Sequence, residues 1–324
     1  MCEGNKLAEE KSYLFGPVPS RRLGLSLGVD IVPFKVCCLD CVYCQLGRTT
    51  RKTIRRRPYV PVAPVIRQLK KRLNQGVKAD FITISGSGEP ALNSLLGRFI
   101  DAIKKITDIP VAVLTNGTLL YRKDVRVDCA GADVVLPSLD AGDQQVFEKI
   151  NRPHKNLTLE KLITGLCQFR AEFTGQIWLE VFFVQGLNTD NAQIAKIKAA
   201  IERIRPDKVQ LNTAVRPTAD AGIKRVAART LQAIAARLGD NCQVVADFQA
   251  SRKPGKLRKT ENLPANKKMQ LLLSMLKRRP CSLIDISAGL GINRLEVLKY
   301  ISHLQKQRLI RSRRKAGRIF YTPV

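Results

Sequence analysis

Four cysteines lie within eight positions of the segment KVCCLDCVYCQLGRT (35–49), where their thiols could bind a metal. Their spacing differs from the paired C-x-x-C knuckles of a structural zinc site. Cys37, Cys41 and Cys44 give C-x-x-x-C-x-x-C, whereas Cys38 in place of Cys37 gives C-x-x-C-x-x-C. The second register begins like a ferredoxin run but lacks the next cysteine, and the first leaves three thiolates for four irons. Spacing alone leaves both registers open.

Two further motifs end strand-like apolar runs. GSGEP (86–90) follows DFITI, and LTNG (114–117) closes the run PVAV. Gly86 and Gly88 would let the backbone approach a ligand closely, and the Glu89 carboxylate can accept hydrogen bonds from an ammonium group. Asn116 would stand at a strand end, although Asn116–Gly117 is also a common turn sequence. These motifs indicate a ligand site beside the cysteines.

The cysteine motif, with Tyr43 before its last cysteine, GSGEP and LTNG together resemble the motifs of the radical S-adenosylmethionine (SAM) enzymes. The longer stretch FGPVPSRRLGLSLGVDIVPFKVCCLDCVYCQLGRT is similar to one branch of that superfamily. This branch contains uncharacterised iron–sulfur oxidoreductases related to the radical SAM enzyme of tRNA wybutosine synthesis. The resemblance covers roughly residues 14–249.

The resemblance implies a 4Fe–4S cluster on Cys37, Cys41 and Cys44, with SAM on the remaining iron and Cys38 outside the ligand set. Reductive cleavage of SAM would then give a 5′-deoxyadenosyl radical that abstracts hydrogen from a substrate. A one-electron donor such as flavodoxin or ferredoxin is implied as a partner. No further catalytic side chain is assigned. The implied SAM contacts are Tyr43, Gly86, Gly88, Glu89, Asn116, Ser138, Asp140 and Asn212.

Simpler roles stay open for some of these residues. Ser138 and Asp140 could cap the following helix, although Asp143 is better placed to do so. Arg152 could lie near SAM or substrate, but a helix that stops before Pro153 explains its position equally well.

Apolar strand-like runs alternate with helical patterns from about residue 28 to 249, which predicts an α/β fold with a buried parallel sheet. Six such units suit a partial (β/α)6 TIM-type barrel, whose chemistry gathers at the carboxyl ends of the strands. The predicted strands are 27–34, 80–86, 110–117, 133–140, 177–186, 208–215 and 243–248. The predicted helices are 62–73, 95–106, 159–173 and 191–204.

The chain is predicted to divide into a core domain (14–249), a basic linker (250–266) and a C-terminal domain (267–324). The C-terminal domain reads as three helices and a strand–turn–strand with its turn at 315–317, the outline of a small α+β winged helix-turn-helix.

Charge is the most unusual bulk property, since the 324 residues carry a formal net charge of +29. Residues 251–324 alone hold 19 Lys and Arg against three Asp and Glu. A second basic run, RTTRKTIRRRP (48–58), follows the cysteines, and Arg21 and Arg22 add to it. Such a field attracts polyanions, so we expect RNA or DNA as a partner and an RNA base as the substrate.

Two other classes of function stay open: an iron–sulfur, SAM-binding regulator that binds nucleic acid, and a radical enzyme that modifies peptides or proteins. The N-terminus MCEGNKLAEEK lacks the apolar run of a signal peptide, and no stretch reaches the length of a membrane-spanning helix. We expect a cytoplasmic protein that makes no membrane contact.

Overall fold

The computed structural model describes residues 12–246 and 263–324. Its central feature is one eight-stranded sheet in the order β1-β2-β5-β6-β7-β8-β9-β10. The strands β1 and β2 form an antiparallel pair, and every pairing from β2 to β10 is parallel. The strands are β1 (Leu14–Ser20), β2 (Gly24–Val29), β5 (Phe81–Ile84), β6 (Val111–Leu114), β7 (Val134–Leu136), β8 (Gln176–Phe183), β9 (Lys208–Thr213) and β10 (Cys242–Val244).

Two short parallel strands, β3 (Val36–Cys37) and β4 (Arg51–Lys52), form a separate pair that brackets the other cysteines. Seven helices connect the strands of the large sheet. They are α1 (Val62–Asn74), α2 (Leu96–Lys104), α3 (Lys123–Cys129), α4 (Gln144–Asn151), α5 (Leu159–Glu172), α6 (Asn191–Ile204) and α7 (Ala228–Leu238). Since parallel strands end at one edge, the loops after β2, β5, β6 and β7 meet there. This edge carries the cysteines, GSGEP and LTNG.

The predicted α/β pattern is present, and the four predicted helices match α1, α2, α5 and α6 closely. The first predicted strand was wrong in its extent, because β2 ends at Val29 and the chain leaves the sheet at Asp30. Asp30 is held there by Ser87, whose N–H donates to its Oδ1 at 3.2 Å and whose hydroxyl donates to its Oδ2 at 2.5 Å. The last predicted strand, 243–248, ends partly outside the described residues.

The C-terminal unit contains three helices and an antiparallel hairpin, at the positions predicted from the sequence. A Ser282–Asp285 capping box begins α9, and Gly291 ends it in the left-handed conformation. The unit has its own cluster of buried apolar residues, including Leu272, Ile286 and Ile301. Of the predicted linker, residues 250–262 lie outside the described residues. The elements are α8 (Ala265–Leu276), α9 (Leu283–Leu290), α10 (Arg294–Lys306), β11 (Ile310–Lys315) and β12 (Arg318–Pro323).

The C-terminal unit packs on the hairpin β1–β2 and on the segment after β9. Arg216 donates to the Pro280 carbonyl at 3.0 Å and pairs with Asp285 at 2.8 Å. The guanidinium of Arg278 lies 4.4 Å from the centre of the Phe15 ring. In the described parts of the chain, no helix combines the length and the apolar character that crossing a membrane requires.

Candidate active site

The cysteine loop, residues 35–49, is fixed along one side by the end of α4. Backbone N–H groups of Asp40 and Val42 donate to the carbonyls of Asn151 and Ile150 at 3.0 and 2.9 Å. A third hydrogen bond comes from the segment after α4, where the His154 N–H donates to the carbonyl of Cys38 at 2.9 Å. These three backbone hydrogen bonds hold the loop against the end of α4.

GSGEP holds the other side of the cysteine loop. The Glu89 N–H donates to the Val36 carbonyl at 3.0 Å, and a Cβ at Gly88 would lie only 2.0 Å from that oxygen. Gly86 has a φ of +139°, and a Cβ there would come within 2.6 Å of the Asp30 carboxyl carbon. Both glycines thus allow close approach to the chain itself. Their contact with SAM stays a prediction.

Each thiol of the predicted ligand set lies beside a side-chain nitrogen donor, from a distant segment for Cys37 and Cys41 and from the start of the cysteine loop for Cys44. Sulfurs bound to iron accept such bonds, which stabilise their negative charge. The pairs are Asn116 Nδ2 with Cys37 Sγ at 3.6 Å, Asn151 Nδ2 with Cys41 Sγ at 3.5 Å, and Lys35 Nζ with Cys44 Sγ at 3.5 Å.

Cys38 has a different environment, because its side chain is fully buried. Its sulfur lies 3.1 Å from Thr118 Oγ1 and 3.2 Å from Asn116 Nδ2. A hydrogen bond from the Cys38 thiol lowers the pKa of Cys37, whereas burial raises the pKa of Cys38 well above its usual value. Cys38 therefore keeps its proton and supports Cys37 as a thiolate.

The donor set fits a multinuclear iron centre better than a single ion. Among the residues that the structure describes, no three Cys, His, Asp or Glu side chains are grouped as ligands of one metal ion. In a four-iron cluster each thiolate binds a different iron, so its ligands need not converge on one point. Burial raises the pKa of Cys41 and Cys44, so iron must displace their protons when it binds.

Glu89 is buried and already accepts three hydrogen bonds. Its Oε1 accepts from Ala91 N–H at 3.0 Å and from the Thr115 hydroxyl at 2.5 Å, and its Oε2 accepts from Asn116 N–H at 2.7 Å. Burial raises the pKa of this carboxyl, while these three bonds oppose the rise. Since a carboxylate has about four acceptor positions, one position on Oε2 is left for a further donor.

Tyr43 and Asp140 lie together and connect the cysteine loop to β8. The Tyr43 ring stacks on Phe182 with centroids 3.9 Å apart, and its hydroxyl donates to Asp140. Asn151 Nδ2 and the Phe182 N–H also donate to Asp140, at 2.7 and 2.8 Å. Burial raises the pKa of Asp140 to about 6. The Asp143 side chain caps α4, in agreement with the sequence argument.

Asn212 belongs to a separate network below the hairpin turn. Its amide donates to Glu180 at 2.8 Å and its oxygen accepts from Arg21 at 3.2 Å, while Arg22 pairs with Glu180 at 2.6 Å. Ser138 reaches the same region, since it forms an isolated bridge with Glu180. The structure therefore groups most predicted contacts around the cysteine loop but leaves Asn212 and Ser138 on the Glu180 side.

Several residues of the site were missed from the sequence. Lys35, which lies at a positive φ of 61°, and Asn151 contact the thiols, yet neither belongs to a motif. Asn151 is 110 positions from Cys41, so no local pattern links them. Arg152 is the left-handed residue that ends α4, and it pairs with Asp220 at 2.6 Å.

Two cavities adjoin this site. One of about 610 Å³ is lined by the cysteine-loop residues 45–47, by Phe34, and by Arg311 and Arg313 of β11. The second, of about 340 Å³, is lined by Gly86, Gly88 and several arginines. Both volumes are within the range of small-molecule binding sites.

Three spaced thiols at the carboxyl edge of a mainly parallel α/β sheet suit an iron–sulfur enzyme. The family model described as the radical SAM superfamily matches residues 31–193, and the chain belongs to this superfamily. Its cofactors are accordingly a 4Fe–4S cluster and SAM, and the chain is an enzyme.

Curated relatives carry varied names. The chain is 41% identical over 234 residues to "GTPase Obg" of Brachyspira hyodysenteriae, a match that covers 72% of this chain but 34% of that protein. It is 38% identical over 212 residues to a "UPF0026 protein" of Methanocaldococcus jannaschii, covering 65% of this chain and 66% of the relative. A "UPF0026 protein" of Synechocystis is 38% identical over 207 residues, with 63% and 76% covered. The chain thus spans about a third of the first relative and two thirds of the second.

Solved structures show the same fold at low sequence identity. A radical SAM methyltransferase from Sphaerobacter thermophilus matches with a TM-score of 0.53 and 18% identity, over 69% of this chain and 67% of that one. Streptococcus suis SuiB bound to S-adenosylmethionine matches with a TM-score of 0.52 and 16% identity, over 68% and 50%. These matches support the α/β radical SAM fold alone.

Proposed function

We propose that this radical SAM enzyme abstracts hydrogen from a base in RNA. In this proposal the core is a partial (β/α)6 barrel and the C-terminal unit is a winged helix that holds the polynucleotide. The observation that carries the proposal is the 610 Å³ cavity, which has the cysteine loop on one wall and Arg311 and Arg313 of β11 on the other. Cations suited to a phosphate backbone therefore share a cavity with the cofactor loop.

The cofactors, when bound and reduced by a donor such as flavodoxin or ferredoxin, supply a hydrogen-abstracting 5′-deoxyadenosyl radical. The side chains of the chain have positioning roles. Glu89 would accept from the SAM ammonium through its remaining Oε2 position, and Tyr43 would line the adenine site. Asn116 and Asp140 would orient the ribose and carboxylate, whereas Ser138 and Asn212 lie beside Glu180.

Phe34 adds an aromatic surface to this cavity. Its side chain is 54% exposed although it lies three residues before Cys37. Proteins that bind single-stranded RNA stack unpaired bases on exposed aromatic rings and place cations along the backbone. Phe34 and the two arginines of β11 provide both features, so we propose that the reacting base or its neighbour stacks on Phe34.

The proposed winged helix exposes further cations. Within the described residues none of them forms an ion pair, which leaves their charge available to phosphates. They are Arg294, Lys299, Lys306, Arg311, Arg313 and Arg314.

The basic run at 48–58 is less available. Arg56 is nearly buried between Asp124 and Asp128, and Arg48 pairs with Asp40. Part of that run therefore stabilises the core domain.

The test compares modified nucleosides in RNA from cells with and without the gene by mass spectrometry. We expect one modified nucleoside to disappear with the gene, and to return with the wild-type gene but not with Cys41→Ala. An unchanged nucleoside profile, from cells in which the protein is produced and loaded with iron, would refute the RNA-base proposal.

Binding provides a second measurement. Phe34→Leu should weaken binding to a single-stranded RNA by about 1–3 kcal/mol, because the leucine cannot stack, while Phe34→Tyr should bind as the wild type does. The affinity should also fall steeply with salt, since phosphate contacts release counterions. Equal affinities of the leucine and tyrosine variants would contradict a stacking role.

A further inference from the structure

We propose that Arg21 and Arg279 bind a phosphate group of the substrate in the 340 Å³ cavity. This inference rests on the proposed function, because it assigns a part of the same substrate. Arg21 comes from the turn between β1 and β2, and Arg279 follows α8 in the C-terminal unit. Both line the cavity together with Gly86 and Gly88, and both also line a smaller adjoining cavity of about 70 Å³.

The two cavities gather six guanidinium groups from four segments of the chain. Two arginines come from the hairpin turn, one from the segment after β9, two from the residues that follow α8, and one from the start of β12. Such a concentration of like charge is unfavourable in a partly buried space unless anions balance it. The six residues are Arg21, Arg22, Arg216, Arg278, Arg279 and Arg318.

Three of the six arginines form ion pairs with carboxylates. Glu180 pairs with Arg22 at 2.6 Å, Asp285 pairs with Arg216 at 2.8 Å, and Asp30 lies 3.7 Å from Arg278. Glu180 and Asp285 also attract Arg21 and Arg279, so three carboxylates are shared among six guanidinium groups.

Arg21 and Arg279 have weaker partners. The Arg21 side chain donates to the neutral amide oxygen of Asn212 at 3.2 Å. The Arg279 side chain hydrogen-bonds with the Cys281 thiol, and it also lowers the pKa of Asp285. Burial lowers the pKa of Arg21 to about 10, and repulsion from Arg216, Arg22 and Arg279 contributes to the decrease. An anion placed between them would relieve this repulsion.

The chemistry of the two side chains favours phosphate over other anions. A guanidinium group donates two parallel hydrogen bonds to the oxygens of one phosphate, and two such groups can share its remaining oxygens. Two sources offer this group: the terminal phosphate of a nucleotide and a phosphodiester of RNA. Because the cavity extends to GSGEP, a phosphate held there places the attached nucleotide towards the predicted SAM site.

The experiment measures binding to the full chain with its cluster rebuilt and with SAM at saturating concentration. The probes are adenosine 5′-monophosphate, adenosine, and a ten-nucleotide RNA with a 5′-hydroxyl end. Arg21→Gln and Arg279→Gln should each weaken binding of a phosphate-bearing probe by about ten- to hundredfold, the usual effect of a hydrogen bond to a charged group. Adenosine should bind weakly to all variants.

Arg98→Gln is the matched control, because Arg98 is an exposed arginine on α2 outside both cavities and its replacement changes the net charge equally. If this control weakens phosphate binding as much as Arg279→Gln does, the two arginines act only through net charge and the inference is wrong. Tighter binding of the phosphate probe in the absence of SAM than at saturating SAM would also overturn it, since the arginines would then belong to the SAM site.

Thermal unfolding without ligand gives an independent readout. Arg21→Gln should raise the melting temperature of the unliganded protein, because the neutral side chain removes a buried charge that its neighbours repel. Pyrophosphate should raise the melting temperature of the wild type more than that of either cavity variant. A lower melting temperature for Arg21→Gln, with unchanged phosphate affinity, would show a purely structural residue.

The probes separate this inference from the proposed function. If the mononucleotide binds through Arg21 and Arg279 but the RNA does not, the phosphate site is supported and the RNA substrate is refuted. If RNA binding depends on both arginines, the phosphodiester is the source of the phosphate. If neither phosphate-bearing probe depends on them, the inference fails even where RNA modification is observed.

Discussion

Replacing Gly88 with alanine should force GSGEP away from the cysteine loop. The added Cβ would lie 2.0 Å from the Val36 carbonyl oxygen and 3.3 Å from Val32 Cγ2. Because the obstructing atom belongs to the backbone, only a movement of one segment can relieve the contact. The hydrogen bond from Glu89 N–H to the same carbonyl, 3.0 Å long, would be lost with it.

The expected cost follows from these two effects. Overpacking in a tight interior costs about 1–3 kcal/mol, and a buried carbonyl left without its donor costs about 1–3 kcal/mol. Their combined effect, roughly 2–6 kcal/mol, corresponds to a decrease of about 4–24 °C in the melting temperature of a domain of this size. Since Val36 precedes Cys37, the variant should also retain less iron.

The assay is thermal unfolding followed by circular dichroism, together with iron content after anaerobic reconstitution. Gly222→Ala is the matched control, because a Cβ at Gly222 would meet no atom within 4 Å. We expect that variant to stay within about 0.5 kcal/mol of the wild type. If Gly88→Ala has the same melting temperature as Gly222→Ala and keeps its iron, the steric argument is refuted.

Three further predictions concern the site. Alanine in place of a predicted ligand thiol should abolish the iron–sulfur absorbance, whereas Cys38→Ala should keep it; the three predicted ligands are Cys37, Cys41 and Cys44. Burial raises the pKa of Asp140 to about 6, so the stability from its tightly held proton is present at low pH and lost as pH rises through 6. In Asp140→Asn the free energy of unfolding, measured in urea, should therefore change less between about pH 4 and 6 than it does in the wild type. The same pH dependence in both proteins would contradict the raised pKa. Lys35→Met should lower the cluster's reduction potential in an EPR-monitored titration, because Lys35 Nζ lies 3.5 Å from Cys44 Sγ and a cation favours the more negative, reduced state. Lys70→Met, on the exposed face of α1, should leave that potential unchanged.

Helices whose apolar residues recur at a regular helical spacing were predictable from the sequence. The helix α6 matches its predicted bounds, 191–204, because its apolar residues recur at helical spacing. The edge strand β1 was not predicted, since Pro17 and Pro19 argue against a central strand. Proline is tolerated at a sheet edge, where an N–H need not reach a neighbour, and edge position is a tertiary property.

The candidate site was predictable where its residues form motifs. The structure places Cys37, Cys41 and Cys44 in one loop beside GSGEP, and their role as cluster ligands stays a prediction. The donor Asn151 could not be predicted, because it is 110 positions from Cys41 and the fold brings the two together. Lys35 is close in sequence, but its contact with Cys44 depends on the turn made at its positive φ of 61°. The arginine pair Arg21 and Arg279 is separated by most of the chain and depends on how the C-terminal unit packs on β1.

The three backbone bonds between the cysteine loop and the end of α4 have a consequence for handling the protein. Zinc fingers unfold without their metal because the metal is their core. The three bonds of this loop join backbone groups to backbone groups, so we expect them to persist when iron is lost. Loss of the cluster in air should therefore leave a folded apoprotein, with a circular dichroism spectrum like that of the cluster-bound protein. One preparation can then be stripped and refilled repeatedly, which allows clusters of different isotopic composition to be compared on the same molecules.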